Sequence, residues 1–312
     1  MKVKCKANAN LALIKYWGKK DVFLNIPATS SFAVSIDEFY SISELELSNQ
    51  DEIILNSKPV ILQNREKLFF DYARKILNEP NVRFKIKSEN NFPTAAGLAS
   101  SSSGFASIAA CILKYFNKYS FNIASDLARV GSASAARSIY GGFTILKEGS
   151  KESFQLRDQS YFNDLRIIFA IVDTNEKELS SRVAMGICKQ QGFYYDAWIA
   201  SSKHIFKDAL YFFLKKDFIH FGANIVKSYQ NMFALMFASS IFYFKSSTID
   251  LIKYAANLRS EGIFVFETMD AGPQVKFLCL EENLNAILKG LKQNFADINF
   301  IVSKVGCGLE WI

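Results

Sequence analysis

Several short stretches carry side chains whose types and spacing suit chemistry on phosphates and carboxylates. Thr268-Met269-Asp270-Ala271-Gly272-Pro273 ends a predicted strand in an acid held by a Gly-Pro turn. Ligand-contacting residues gather on such loops, although a turn aspartate bonding its own backbone has the same spelling. Asn10-Leu11-Ala12-Leu13-Ile14-Lys15-Tyr16-Trp17-Gly18-Lys19 sets an amine after an apolar run, with a hydroxyl and a second amine close by. A partly desolvated lysine is chemically useful; a strand end with a surface Lys15 and a packed Trp17 is the plain alternative. Gly131-Ser132-Ala133-Ser134-Ala135-Ala136-Arg137-Ser138 surrounds a guanidinium with small residues. That leaves room for a carboxylate or phosphate on Arg137, or for close helix packing with Arg137 at the rim. Asn91-Phe92-Pro93-Thr94-Ala95-Ala96-Gly97-Leu98-Ala99-Ser100-Ser101-Ser102-Ser103-Gly104 opens on proline and closes on serines before an apolar helical pattern. Small residues before a helix start can offer N–H groups to an anion, and serine hydroxyls can cap, bond phosphate or ligate Mg²⁺. No Gly-Lys-Ser/Thr closes the loop, so it is not a Walker loop, and a turn capping a buried helix has the same composition. Lys177-Glu178-Leu179-Ser180-Ser181-Arg182 reads as a capped helix start that can also hold an anion.

The totals narrow the chemistry. With only two histidines, His204 and His220, a histidine-rich metal cluster is excluded and acid–base work falls to Asp, Glu or Lys. The five cysteines, Cys5, Cys111, Cys188, Cys279 and Cys307, include no Cys-x-x-Cys, which argues against a disulfide framework or zinc ribbon and fits a reducing cytoplasm. The net charge of +7 comes from lysines spread along the chain, which reads as a solvated surface rather than a nucleic-acid patch, and it favours small polyanions. No signal-peptide core precedes Lys15. The uncharged run from Ser228 to Phe244 contains Gln230, Asn231 and serines, and reads as a buried core helix, not a membrane span.

The chain's 312 residues suit two packed domains, and its 29 phenylalanines can fill sizeable cores. A strand and an irregular Lys-Tyr-Trp-Gly-Lys-Lys segment occupy residues 1–20. Period-two alternation predicts strands at Phe32–Ile36 and Ile42–Leu47, a hairpin over Ile53–Leu62, and a strand at Arg83–Lys87. Amphipathic spacing predicts a helix over Glu66–Leu77, then helices at about 101–117 and 124–138. Strands follow at Phe143–Leu146 and Arg166–Val172. The pattern is helical from Ser180 to Leu258. Strands are predicted at Ile263–Phe266, Val275–Leu280 and Ile298–Val302, with a helix near 283–294. Unalternated strands and helices give an α+β class, divided near 174–180 into domains of residues 1–176 and 177–312.

Taken in order, the Ile-Lys-Tyr-Trp-Gly-Lys, Asn-Phe-Pro-Thr-Ala-Ala-Gly-Leu-Ala-Ser-Ser and Asp-Ala-Gly-Pro strings, with Gly131–Gly142 and Ser181–Met185, closely resemble the diphosphomevalonate decarboxylases. These belong to the galactokinase, homoserine kinase, mevalonate kinase and phosphomevalonate kinase (GHMP) superfamily. The matching stretches span nearly the whole chain. The resemblance implies a two-domain GHMP kinase fold, with a mixed sheet and helices in each domain, an ATP-binding N-terminal domain and an active site in the cleft between them. It implies conversion of mevalonate 5-diphosphate and ATP, with Mg²⁺, to isopentenyl diphosphate, ADP, phosphate and CO₂ in the mevalonate pathway of isoprenoid synthesis. The implied setting is cytoplasmic, with no nucleic-acid or membrane partner, and the family's frequent dimers suggest a homodimer.

By the same resemblance, Asp270 lies beside the tertiary 3-hydroxyl that attacks the γ-phosphate, with Lys15 near the same group. Arg137 holds the substrate carboxylate. Ser101 faces the transferred group or the metal. Pro93, Ala95, Ala96, Gly97, Leu98, Ala99, Ser100, Ser101 and Ser102 hold the nucleotide phosphates. Asn10, Tyr16, Trp17, Gly18, Lys19, Arg65, Ser132, Ala133, Ser134, Ala135, Ala136, Arg137, Ser181 and Arg182 line the mevalonate diphosphate site. The chain departs from the family's pattern in three places. Thr29 stands where Asn is common after Ile26-Pro27. Ala133 replaces a glycine, at a cost in backbone freedom. Asn231 is followed by Met236 and Phe237 where an Asn-x-x-x-x-His setting is usual, which puts substrate contacts from that helix in doubt. A kinase acting on mevalonate or a related ester without decarboxylating, and a non-catalytic metabolite-binding homologue, are the rival readings; retention of Asp270, Lys15 and Arg137 argues for the decarboxylase.

Overall fold

The computed structural model describes residues 2–92, 100–175 and 179–312, without the side chain of Ser100. The expected phosphate-loop residues Pro93, Ala95, Ala96, Gly97, Leu98 and Ala99, and the side chain of Ser100, lie outside the described residues.

The chain opens with strand β1 (Val3–Ile14), the short pair β2 (Lys19–Asp21) and β3 (Ile26–Pro27), and the long β4 (Ser31–Leu47). The hairpin β5 (Glu52–Leu55) and β6 (Lys58–Pro59) leads to helix α1 (Asn64–Leu77) and strand β7 (Phe84–Asn90). Helices α2 (Ser100–Tyr115), α3 (Phe121–Gly131) and α4 (Ala135–Ser138) precede strands β8 (Phe143–Leu146), β9 (Ser153–Arg157) and β10 (Leu165–Ile171). Four helices follow: α5 (Ser181–Lys189), α6 (Phe193–Leu214), α7 (Phe218–Ala238) and α8 (Ser246–Ser260). The chain finishes with β11 (Phe266–Met269), β12 (Val275–Leu280), α9 (Glu281–Asn294), β13 (Asn299–Ser303) and β14 (Glu310–Trp311).

The first sheet runs β14-β1-β4-β7-β5-β6, with β8 and β9 continuing from β4, and it is antiparallel except for the β5–β7 pair. The second sheet runs β11-β12-β10-β13. Sheet membership does not follow a single cut at 176/177: β10 belongs to the second sheet and β14 to the first. The reason lies in β10, whose side chains are apolar on both faces from Ile167 to Ile171. Leu165, Ile167 and Phe169 point into a core shared with β1, β4, α6 and α7, while Ile168 and Ala170 point into the core beneath α7, α8 and α9. A strand buried on both faces reads as one unbroken apolar run. The shared core, with Phe32, Phe213 and Phe221 in mutual ring contact, joins the two lobes into one body under the cleft. A third core, around Phe69, Phe70, Phe84 and Ile112, fills the first lobe behind α1 and α2.

Four expected elements differ. The strands predicted at 32–36 and 42–47 are one strand, because Asp37 and Glu38 are exposed residues within it rather than a break. The helix predicted over 124–138 is interrupted: Ser132 caps α3 in an extended conformation before α4 begins. The uncharged run 228–244 is helical only to Ala238, where the Ser239 hydroxyl donates back to the Leu235 carbonyl and Ser240 turns left-handed at φ 55°. The strand expected at 263–266 starts at Phe266, after the turn that ends α8. Its buried Glu267 broke the apolar pattern, and that carboxylate is matched by Arg259 at 2.5 Å and Tyr229 at 3.0 Å. Among the described residues no helix is long and apolar enough to cross a membrane.

Candidate active site

Strand β1 carries the site's first residues. Its inner end delivers Lys15, which is 1% exposed. The Lys15 ammonium donates to the Ala12 carbonyl at 2.6 Å and meets Asp270 Oδ1 at 3.0 Å. Its backbone N–H donates to the Ser228 hydroxyl of α7 at 2.8 Å, so the second lobe fixes the first lobe's lysine.

Asp270 follows β11, with its side chain 31% exposed to the cleft, and its Oδ2 lies 3.3 Å from the ammonium of Lys276 on β12. Partial burial works to raise the Asp270 carboxyl, but Lys15 and Lys276 outweigh it and hold the group well below the usual carboxylate range. Burial pulls Lys15 down to about 8, against the attraction of Asp270 and with the repulsion of Lys276 and Arg137. The floor of the cleft is therefore a carboxylate flanked by two cations.

Arg137 comes from the short helix after the Ser132 break. Its Nε donates to Asn10 Oδ1 at 3.1 Å and its Nη1 to the Ser31 hydroxyl at 2.6 Å. Asn10 in turn donates to the Ser134 carbonyl at 2.9 Å and the Ser138 hydroxyl at 2.8 Å. These bonds fix the guanidinium plane, and burial lowers Arg137 to about 10 while Asp270 opposes the shift.

The other end of the cleft is cationic. Lys19 donates to Asn25 Oδ1 at 2.6 Å; burial first, then Arg182 and Arg65, lower it to about 8. Arg65 contacts Glu66 at 2.5 Å and lies over the Phe105 ring at 5.1 Å. Arg182 is lowered by burial and then by Arg65. Among the described residues, the buried Tyr16 hydroxyl and Trp17 indole N–H have no hydrogen-bond partner. Unpaired donors beside three cations suit an anionic ligand that supplies the missing acceptors.

The cavity between the lobes holds about 270 Å³ and brings together Asn10, Lys15, Tyr16, Trp17, Lys19, Arg65, Ser101, Ser132, Ala133, Ser134, Arg137, Ser181, Arg182 and Asp270. Ser101 reaches it from the start of α2, its hydroxyl 3.3 Å from that of Ser132. Gly18, Ala135, Ala136 and Ser102 do not line it. Gly18 takes φ +98° where a Cβ would meet the Tyr195 hydroxyl at 2.3 Å, so its role is to let α6 approach. Ala135, Ala136 and Ser102 are wholly buried. Nor does α7 use its family-variant positions here: Asn231 donates back to the Lys227 carbonyl, Met236 is fully buried, and Met232 lines the cleft instead.

Asn25, Ser31, Ser228, Met232 and Lys276 join the site from outside the sequence motifs. Lys276 had a usable signal, a lone cation inside the apolar strand Val275–Leu280. Asn25 had a weaker one, an asparagine before Ile-Pro; it is buried in the left-handed region at φ 53° and donates to the Arg129 and Val130 carbonyls. Among the described residues no group of three or more His, Cys, Asp or Glu could cage a metal. The Ser101 hydroxyl, a donor of the kind that can meet a phosphate or Mg²⁺, lines the cleft.

Two lobes meeting over such a cleft are the GHMP kinase architecture. Residues 7–161 match the model of the diphosphomevalonate decarboxylase-like N-terminal domain. Over 100% of its length the chain resembles the mevalonate diphosphate decarboxylase of Staphylococcus aureus, at 32% identity, 98% coverage of that chain and TM-score 0.93. It likewise resembles MDDEF in complex with MVAPP, AMPPCP and magnesium, at 30% identity, 100% and 99% coverage and TM-score 0.93. The diphosphomevalonate decarboxylase of Candida albicans is 29% identical, over 94% of this chain and 88% of that protein. The chain belongs to the diphosphomevalonate decarboxylase family.

Proposed function

We propose that the cleft performs the ATP-dependent decarboxylation of (R)-5-diphosphomevalonate to isopentenyl diphosphate, ADP, phosphate and CO₂. The observation that carries this reading is the Asp270 carboxylate set between Lys15 and Lys276 at the floor of a cationic cleft. Phosphoryl transfer needs alignment and charge stabilisation more than covalent help. Asp270 accepts a hydrogen bond from the 3-hydroxyl and aims its oxygen at the γ-phosphate. Because the two lysines keep its basicity low, it orients the hydroxyl in the ground state and takes up proton density only as the new P–O bond forms. Lys15 offsets the charge that develops there. Mg²⁺, when bound with ATP, would neutralise phosphate charge, and the Ser101 hydroxyl, which lines the cleft, would meet it or the transferred group.

Phosphorylation turns the tertiary hydroxyl into a leaving group. As the C–O bond breaks, the carboxylate's C–C bond electrons move to form the double bond, releasing phosphate and CO₂. Arg137, its plane held by Asn10 and Ser31, receives that carboxylate and keeps it aligned. The diphosphate binds at the far end, where Lys19, Arg65, Arg182, Tyr16 and Trp17 supply charge and donors. Binding energy at this remote handle aligns the reacting end. Purified protein given ATP and mevalonate, its 5-phosphate or its 5-diphosphate is expected to release ADP and CO₂ together, with the diphosphate only. ADP without CO₂ makes the protein a kinase; ligand binding with neither product makes it a binding homologue.

A further inference from the structure

Lys276 enters the proposed chemistry only as a charge beside Asp270. It sits on β12, is 2% exposed, and does not line the cleft. Its ammonium faces Asp270 Oδ2 at 3.3 Å and the Gln274 carbonyl at 3.4 Å. A buried ammonium is costly to desolvate, and an apolar side chain of the same size generally serves a core better. Lys276 therefore calls for a reason beyond packing.

The geometry points to Lys276 as a positioning residue that locks the plane of the Asp270 carboxylate through Oδ2, while Lys15 holds Oδ1. This rests on the function proposed above. A carboxylate gripped at one oxygen swings about its Cβ–Cγ bond. One gripped at both presents its remaining lone pairs in a fixed direction, toward the cleft. Among the described residues the charged groups acting on Asp270 are Lys15 from the end of β1 and Lys276 from β12, in direct contact, and Arg137 from α4, through its charge. Lys276 is the only one of these three outside the cavity lining, so it acts through Asp270 rather than on substrate.

The test compares wild type with Lys276→Met, or Lys276→Gln if the first variant does not fold, and with Lys276→Arg. In Lys276→Met we expect kcat to fall about 10- to 100-fold through misalignment, with KM for ATP and for the diphosphate unchanged. The acid limb of its kcat profile is expected to move to higher pH as a cation is lost. Lys276→Arg keeps the charge and is expected to hold the acid limb at the wild-type position. NMR titration of the Asp270 carboxyl carbon reads the same rise without turnover. A lowered Tm with unchanged kcat and unchanged Asp270 titration would make Lys276 a core filler and overturn the inference. Inactive wild type with the Asp270 titration still moved by Lys276→Met would instead sink the proposed reaction and leave the positioning role standing.

Discussion

Asp270 concentrates the site's electrostatics in one side chain. Replacing it by Asn keeps the shape, turns one of the two acceptor oxygens facing Lys15 and Lys276 into a donor, and removes the charge that balances both lysines. Asp270→Asn is expected to lower ADP release by about 100- to 10,000-fold while a non-hydrolysable ATP analogue still binds, measured by coupled assay and calorimetry. Near-normal turnover would remove Asp270 from the mechanism. A second prediction concerns alkaline pH. Lys15 and Lys19 are both lowered to about 8, chiefly by burial. Each is cationic below that value and loses its charge as pH rises through it. The kcat/KM profile is therefore expected to fall above about pH 8, with a slope approaching two decades per pH unit where both charges are needed. A slope of one would leave a single lysine responsible. Asp270, Lys15 and Arg137 could be singled out in the sequence only when their motifs were taken together in order, since each alone has a plain structural reading; the fold brings all three to one cleft. Ser228 could not be, because it meets Lys15 only across 213 positions of chain; Lys276, close to Asp270 in sequence, offered only a lone cation in the apolar strand β12, and its meaning needed the fold that turns it onto Asp270.

Elements, more than single residues, determine what faces the cleft. The break between α3 and α4 turns Ser132, Ala133 and Ser134 inward and sets Arg137 on a new axis. Sequence periodicity ran through this break, since small residues fit a helix as well as a kink. The long β4 was split by its exposed Asp37-Glu38 pair for the opposite reason: polarity marks solvent, not the end of a strand. Helix α7 ties the lobes together, because Ser228 bonds the Lys15 backbone and Gly222 lets Phe266 of β11 lie against the helix. A Cβ at Gly222 would come within 2.1 Å of the Phe266 ring. Gly222→Ala is therefore expected to destabilise the protein by about 1–3 kcal/mol through overpacking, read from denaturant unfolding. An unchanged midpoint would mean that the α7–β11 contact gives way without strain.

Across the whole molecule, both sheets contribute to one cleft, and residues 304–312 weave back through the first lobe. Val305 bridges to Ile36, Gly306 bonds Ser35 and Gly142, the Cys307 carbonyl receives Asn8, and Ile312 bonds Lys4. Removing residues 305–312 is expected to cost about 3 kcal/mol or more, at about 1 kcal/mol per lost bond, and to lower kcat because β1 carries Asn10 and leads into Lys15. Urea unfolding together with the ADP assay measures both; retention of both values would make the segment a passive tail. This return path also has a consequence in time. Cys5 pairs with Trp311, so β1 leaves the ribosome before β14 and waits for that partner for about 15–60 s at about 5–20 residues per second. For that interval β1 offers an unpaired edge of the kind that recruits other chains.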